Sequence, residues 1–574
     1  MASDAPVAAA VPAARAAEDD PFALEVIKSF LLAIGDEMFA AQQRTSMSPI
    51  VYEVLDFAAG MTDAQGNTIT QGNGVTLFLA TLSGTVREIL RRFGGAVEPG
   101  DVFMANDPYR GGGTHLCDVA IVIPVFADGR LVGFVGNKAH WTEVGGKDPG
   151  SYTTDATEIY QEGLQLPAVK LYSRGHLNQA LVDVLEANVR LPRMTLGDMW
   201  SGIAACRVGK RRLEELCGRF GAEVVVRAMA RILDEADART RAELKSLPRG
   251  VFRAEEMIDD DGMGGGPFRV CVRVEISDDR FVCDFTGSAP QTRGPINSTA
   301  AGLEAAVRVI YLAVASPAAP VSDGVFRSLE VVCPPGTVFT AERPAPVSIY
   351  WESQLFAIDL VWKALAPHLP DRLPAGHHLS VCGTNIAGRD PKSGELFVMV
   401  EPQAGGWGAA RGADGQRGQF CVADGETFTI PLEIAEARYP VRARRYEFHT
   451  EPGGAGRWRG GNGLVREFEI LSAEALVTAT LGRHHYPPWG LAGGRDGTTN
   501  HIEILSGDGD VLERRGKTAR HGLARGQVLR LVTGTGGGYG DPRERPPERV
   551  AADVTDGYIT AEQARQAYGV AVDE

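Results

Sequence analysis

NDPYRGGGTHLCDVAIVIPVFADGRLVGFVGNKAHWTEVGG, residues 106–146, holds two apolar runs, 119–126 and 131–137, on either side of Asp128–Gly129. Asp-Gly between apolar runs is the strongest short signal for a hairpin, because its turn needs residues that accept positive φ. A two-residue loop pairs position 127 with 130. Stepping back along both strands then pairs Asp118 with Ala139 and Cys117 with His140. His140 therefore arrives beside Asp118 although the two are far apart in sequence. His115 lies just upstream, where Gly111, Gly112 and Gly113 let the backbone bend out of the strand. Two imidazoles and a carboxylate at one end of a rigid hairpin are the donor set of a catalytic divalent metal with open positions. Spacing alone also allows hydrogen-bonded structural histidines. A single bulge would shift the register by one and change the face that His140 takes. Cys117 reads as a ligand, a nucleophile or a small buried residue facing away from Asp118.

Outward from the hairpin, residues 21–43 carry apolar groups at Phe22, Ile27, Leu31, Ile34, Met38 and Phe39, the spacing of a helix that starts near Asp20–Pro21. Residues 51–83 alternate as strands do, with a turn at Asp63–Gly66. Residues 178–245 follow a helical pattern, 266–286 a hairpin turning near Asp278–Asp279, and 301–314 and 353–366 two further helices. From 440 onward, short apolar strands alternate with GGAGRWRGGNG (453–463), GLAGGRDG (490–497) and GTGGGYGDP (534–542), a texture of tight Gly turns. A short helix is expected over 559–569. The whole reads as an α+β fold: a large multi-sheet body with helical segments and a β-rich, Gly-rich C-terminal third. Its expected regions are an arm without fixed structure at 1–20, a metal-binding region at 21–250, a mixed region at 251–440 and a β-rich region at 441–574.

The chain has 574 residues and a formal net charge of −15. That length suits several domains or one large body. The acidic balance argues against nucleic acid or an anionic membrane as the main partner. The cysteines form no CxxC pair, which suits free thiols in a reducing, cytoplasmic setting. The first residues lack a basic run followed by an apolar core, so no signal peptide is expected, and no apolar run reaches membrane-spanning length. Gly516-Lys517-Thr518 resembles the end of a phosphate loop, but Val511 stands where the earlier Gly is required, and a tight Gly loop is the plainer reading. GTGGGYG is followed by DPRERPP, which cannot open a helix. The pairs His377–His378 and His484–His485 point away from one another on any regular element and are expected in surface or loop positions. Glu143 and Asp155, shortly after His140, are candidates for a general base or for orienting a ligating histidine, against a plain surface role.

The sequence resembles the hydantoinase B/oxoprolinase family, which is related to acetone- and acetophenone-type carboxylase large subunits. The stretches that carry the resemblance run from DPFALEVIKSFLLAIGDEMFAAQQRTSMSP (20–49) and LDFAAGMTDAQGN (55–67) through the hairpin itself. They continue through AHWTEVGGKDPGSYTTDATEIYQEGLQLPAVKL (139–171), DFTGSAPQTRGPIN (284–297) and ARYPVRARRYE (437–447) to TGGGYGDP (535–542). The resemblance implies that His115, Asp118 and His140 bind a catalytic divalent metal, manganese, zinc or iron, with Asp56 as a further carboxylate. It also implies a separate hydantoinase A-type ATPase subunit, of the actin/hexokinase-like class, that phosphorylates a carbonyl oxygen of a small-molecule substrate, in a dimer of heterodimers. The expected reaction is ATP-dependent opening of a hydantoin, lactam or oxoproline ring. A ketone carboxylase subunit and a non-catalytic scaffold are the alternatives. The sequence departs from the family's pattern at Glu53-Val54-Leu55, Ala58, Cys117 and Trp141, all close to the expected metal.

Overall fold

The computed structural model describes residues 21–318 and 320–572, so the arm expected over 1–20 lies outside the described residues. The first helix, α1 (Pro21–Thr45), places Ile27, Leu31, Ile34 and Met38 on one buried stripe. Three- and four-residue spacing puts these side chains on one face. A short helix α2 (Pro49–Tyr52) then leads into β1 (Phe57–Asp63) and β2 (Thr68–Gly74), turning over 63–67 as expected. The strand-like reading up to residue 83 is corrected at Thr76, where α3 (Thr76–Phe93) begins. Leu77, Phe78, Leu82, Val86 and Ile89 are all buried, and their three- and four-residue spacing is helical.

The strands β3 (Val102–Ala105), β4 (Asp118–Ala127), β5 (Arg130–His140), β6 (Val169–Ser173) and β7 (His176–Leu177) join the first two in one antiparallel sheet. Its order is β2-β1-β5-β4-β3-β6-β7. The central pair, β4 and β5, is buried along almost its whole length, because both sheet faces are covered. On one face Val122 and Phe134 pack with Leu82, Val86 and Ile89 of α3. On the other, Ile121 and Asn137 meet the helix after α4 (Gln179–Asn188), namely α5 (Pro192–Phe220), where Asn137 Nδ2 donates to Gly202 O at 2.8 Å. Alongside lies α6 (Ala222–Leu244), so the helical reading of 178–245 holds with two breaks.

A second sheet has the order β11-β10-β9-β8, from β8 (Gly250–Ile258), β9 (Phe268–Ile276), β10 (Phe281–Asp284) and β11 (Leu329–Val332). The expected 266–286 hairpin is its β9–β10 pair. The helices α7 (Ala300–Ala315) and α8 (Trp351–Leu365) match their expected positions. They pack between α3 and this sheet, and α8 is buried along nearly all of its length. The remaining strands are β12 (Thr384–Arg389), β13 (Leu396–Glu401), β14 (Val441–Phe448), β15 (Leu464–Ile470), β16 (Glu474–Thr480), β17 (His501–Leu505), β18 (Val511–Arg515), β19 (Lys517–Ala524) and β20 (Val528–Val532). They form two sheets, β13-β12-β16-β19 and β14-β15-β20-β17-β18. The first of these draws strands from both sides of residue 440. The expectations of an α+β fold and a β-rich C-terminal third both hold, and helical turns occupy 561–568. Among the described residues no helix is long and apolar enough to cross a membrane.

Within the Gly-rich segments one expected tight turn forms, Gly494 N donating to Leu491 O at 2.9 Å across Ala492 (φ 53°) and Gly493 (φ 94°), but most of the remaining glycines do not serve turns. They lie in extended strands of main chain laid against one another: Gly454 N donates to Gly536 O, Gly536 N to Gly461 O, Gly461 N to Trp407 O and Gly538 N to Arg495 O, each within 2.8–2.9 Å. A Cβ on Gly460 would sit 1.9 Å from Gly536 O. Most of these glycines serve close backbone approach rather than positive φ. Gly516-Lys517-Thr518 is likewise no loop: Lys517 opens β19 and its ammonium is buried near Asp260, 3.3 Å away.

Candidate metal centre

The hairpin forms with one departure from the expected register. Ala127 pairs with Arg130 and Phe126 with Leu131, but an irregularity between Val125 and Phe126 shifts all later pairs by one, so Asp118 stands opposite His140. The bulge brings the two groups together. In the unshifted register His140 would pair with Cys117, and the alternation of side chains would put it on the face away from Asp118. One strand further, β1 pairs Phe57 with Ala139, and His140 N donates to Asp56 O at 3.0 Å. Asp56, His140 and Asp118 thus form a row across three adjacent chains at one end of the sheet. Leu55, just before Asp56, is held at φ 62°, a left-handed conformation that a leucine adopts only under constraint.

His115 reaches the row through the loop before β4. Gly112 has φ 71°, and a Cβ there would lie 2.5 Å from Thr81 O of α3. The chain then folds back tightly, with Asp118 N donating to His115 O at 3.2 Å. His115 Nδ1 lies 2.9 Å from Ser348 O, which can only accept, so Nδ1 carries the proton. Nε2 lies 3.1 Å from Asp118 Oδ1, close enough for both atoms to serve one cation. Asp118 Oδ2 accepts from the Thr114 hydroxyl and from Tyr350 Oη at 3.2 Å. His140 Nδ1 is buried with no hydrogen-bond partner. Cys117 is part of the cluster as well: single donor atoms of His115, Cys117 and His140 lie within 4.8 Å of one another. It sits in the turn before β4, where strand alternation does not govern its direction. Burial, and next the charge of Asp118, hold its thiol well above the ordinary value.

These groups share a cavity of about 50 Å³ that also touches Phe78, Tyr152, Tyr350, Trp351, Glu401 and Asp424. It has room for an ion and roughly one or two waters. Burial, then the neighbouring Asp118 and Asp424, push Asp56 well above the usual carboxylate range. Burial and the charge of Asp118 bring Asp424 up to about 7. Burial, then His115, drives His140 down to about 4. Burial works against Asp118 too, but His115 and His140 hold it below its ordinary value. Among the described residues no lysine or arginine forms an ion pair with Asp56, Asp118 or Asp424. Lys138, on the same face, spends its ammonium on Thr81 Oγ1 and on Gly112 O at 2.7 Å. Buried charge of one sign is costly unless a cation joins it. The unpartnered His140 nitrogen, the close approach of His115 Nε2 to Asp118 and the carboxylate excess all fit a divalent ion.

Glu143 and Asp155 are not brought to the cavity. After His140 the chain leaves the sheet, and the two carboxylates are taken by cations that tie distant segments together. Glu143, fully buried, accepts from Arg190 at 2.6 Å and from Gly150 N at 3.1 Å. Asp155 pairs with Lys147 and with Arg520 of β19 at 2.8 Å. His377 and His378 are fully buried rather than at the surface, His377 lying against Trp362 and Trp407. His484 is paired with Asp260 at 3.0 Å. Asp424, Tyr350 and Trp351 are cavity residues that the sequence did not reveal. Asp424 falls in a stretch without a motif, and Tyr350 and Trp351 lie just before the helix expected over 353–366.

A family model described as hydantoinase B/oxoprolinase matches residues 20–542. The caprolactamase subunit beta of Pseudomonas jessenii is 33% identical over 571 residues, covering 96% of this chain and 96% of that protein. The crystal structure of the ATP-dependent caprolactamase from Pseudomonas jessenii superposes with a TM-score of 0.90 at 31% identity, over 96% of this chain and 97% of that one. A nucleotide-free acetone carboxylase structure has the same fold, with a TM-score of 0.89 at 20% identity, over 97% of this chain and 80% of that one.

Proposed function

Because the chain belongs to the hydantoinase B/oxoprolinase family, we propose that it is the metal-dependent B subunit of an ATP-dependent hydrolase that opens cyclic amides together with a separate ATPase subunit. The observation that carries this reading is the row of Asp56, His140 and Asp118 joined by His115 at one cavity, with the buried His140 Nδ1 left without a partner. The caprolactamase relative, named as a beta subunit and described as ATP-dependent, supports the same reaction class.

Asp56, His115, Asp118 and His140 would hold one divalent ion, manganese, zinc or iron. When bound, it supplies a Lewis acid and lowers the pKa of water in the cavity towards ~7. Ser348 fixes the His115 tautomer, and Thr114 and Tyr350 orient the Asp118 carboxylate, so the donors are set before any ion arrives. Phe78, Tyr152, Trp351 and Val400 wall the cavity and limit bulk water. The lactam oxygen would be phosphorylated by the ATPase partner, since Lys517 and Thr518 lie on a strand and do not form a phosphate loop. A scaffold role would leave the donor set free to decay, and here it is complete. The carboxylase reading uses the same cavity and differs in what attacks or is attacked there.

Elemental analysis tests the site. The purified chain is expected to hold near-stoichiometric manganese, zinc or iron, and a folded His140→Ala variant to lose most of it. Full metal content in that variant would remove the assignment.

A further inference from the structure

The cavity contains a carboxylate that neither the hairpin nor the strand row supplies. Asp424 lines it beside Asp56, His115, Asp118 and His140. The segment that carries it is fixed on every side. Asp424 N donates to Cys421 O at 3.0 Å, and Thr427 closes the turn onto Asp424 O through its N at 3.1 Å and its Oγ1 at 2.8 Å. Val422 N donates to His377 Nε2 at 3.3 Å, which gives the buried, Trp-flanked His377 its purpose. Phe428 N donates to Val54 O at 2.9 Å, two residues from Asp56. Ile430 is held from both ends: its N donates to Glu401 Oε2 at 3.0 Å, and its O accepts from Arg466 at 3.0 Å. Glu401 and Arg466 are themselves a fully buried ion pair at 2.8 Å.

All this anchoring acts on the backbone of the segment. The Asp424 carboxylate takes a hydrogen bond from the Cys421 thiol, and neither a backbone N–H nor a Lys or Arg among the described residues. An aspartate in a turn usually accepts from the backbone two residues on. A turn with no chemical duty would be better served by a neutral residue, which avoids burying a carboxylate in a site that already holds two.

We propose that Asp424 is a catalytic residue that moves the proton in ring opening. This rests on the cyclic-amide reading above. In the first step a water oxygen bonds to the carbon of the phosphorylated amide while one water proton passes to an Asp424 oxygen. The π pair of the carbon–nitrogen double bond moves onto nitrogen as the water adds, and the Asp424 proton is delivered to that nitrogen. The remaining carbon–nitrogen bond then breaks with its electron pair on nitrogen, and the added hydroxyl gives its proton to the leaving amine as it becomes the acyl carbonyl. The product is an open-chain amine bearing an acyl phosphate. A second water releases carboxylate and phosphate, so each ring opened consumes one ATP and two waters.

The test uses the complex of this chain with its ATPase partner, assayed with ATP and cyclic amides. Asp424→Asn keeps the volume and removes the proton acceptor. Its kcat for ring opening is expected to fall by about 100-fold or more, with KM within a few-fold and metal content unchanged. Undiminished kcat would overturn the proposal. So would loss of metal in step with activity, which would make Asp424 a ligand. If Asn is not tolerated, Asp424→Glu keeps the carboxyl and displaces it by a methylene. A clear fall in kcat with metal retained is then expected, and an unchanged kcat would overturn the role. A wild-type complex that opens no cyclic amide would instead refute the functional reading, and this proposal with it.

Discussion

At the scale of single residues, the chain separates carboxylates by what surrounds them. Asp56 and Asp424 are pushed up by burial and then by neighbouring acids, whereas Asp155 faces Lys147, Arg520 and Thr153. Burial works against Asp155, but hydrogen bonds from those three partners outweigh it and pull its carboxyl down to about 2. An unfolded aspartate titrates near 3.9, so the unfolded chain binds the proton more readily. The contribution to stability is therefore fully present above about pH 4 and is lost as pH falls through about 2. The side chain is partly open to solvent, so the effect is modest. Asp155→Asn should lower the urea midpoint near neutrality and lose less than the wild type on acidification from about pH 4 to about pH 2. Parallel acid limbs would contradict this. The residue-level reading from sequence was mixed for a physical reason. His115, Asp118 and His140 were legible as neighbours because a hairpin turn brings that end of both strands together, although the face His140 takes was not. Glu143 and Asp155 drew attention through nearness in sequence, yet Arg190 and Arg520, remote in sequence, claim them.

At the scale of elements, the informative departures come from backbone geometry that side-chain patterning does not encode. The bulge between Val125 and Phe126 leaves no mark in an apolar run, yet it selects the face on which His140 meets Asp118. The α3 helix was misread because its first turn continues an alternating stretch. The glycine-rich segments match the turn reading only in part: 491–494 is a tight turn, but most of their glycines serve close backbone packing. A turn glycine is needed for its φ, whereas Gly536 is needed because a Cβ would lie 2.0 Å from Trp407 O and 2.1 Å from Trp407 C, with no flexible side chain to yield. Gly536→Ala should therefore cost about 3 kcal/mol, the upper end for overpacking. Gly509→Ala, at φ 96° in open space, should cost only the ~1 kcal/mol of a left-handed alanine. Thermal unfolding of the two variants checks the contrast, and equal losses would show that the glycine stack is not close-packed as described.

At the scale of the whole molecule, the site is assembled from parts distant in sequence. The β1–β5–β4 row supplies the donors, the amino end of α8 supplies Tyr350 and Trp351, and the anchored segment around residue 424 closes the cavity. The α+β class and the C-terminal β-rich third were legible from periodicity. The joining of β12 and β13 to β16 and β19 was not, because nothing local in a strand names its partner. The most direct measurement supplies the reconstituted pair with ATP, labelled bicarbonate and a panel of lactams, hydantoins, oxoproline and ketones, before and after removal of the metal. The account predicts ring-opened amino acid without label, abolished by chelation and restored by manganese, zinc or iron. Label fixed into a keto acid with every ring left closed, or ring opening untouched by chelation, would contradict it.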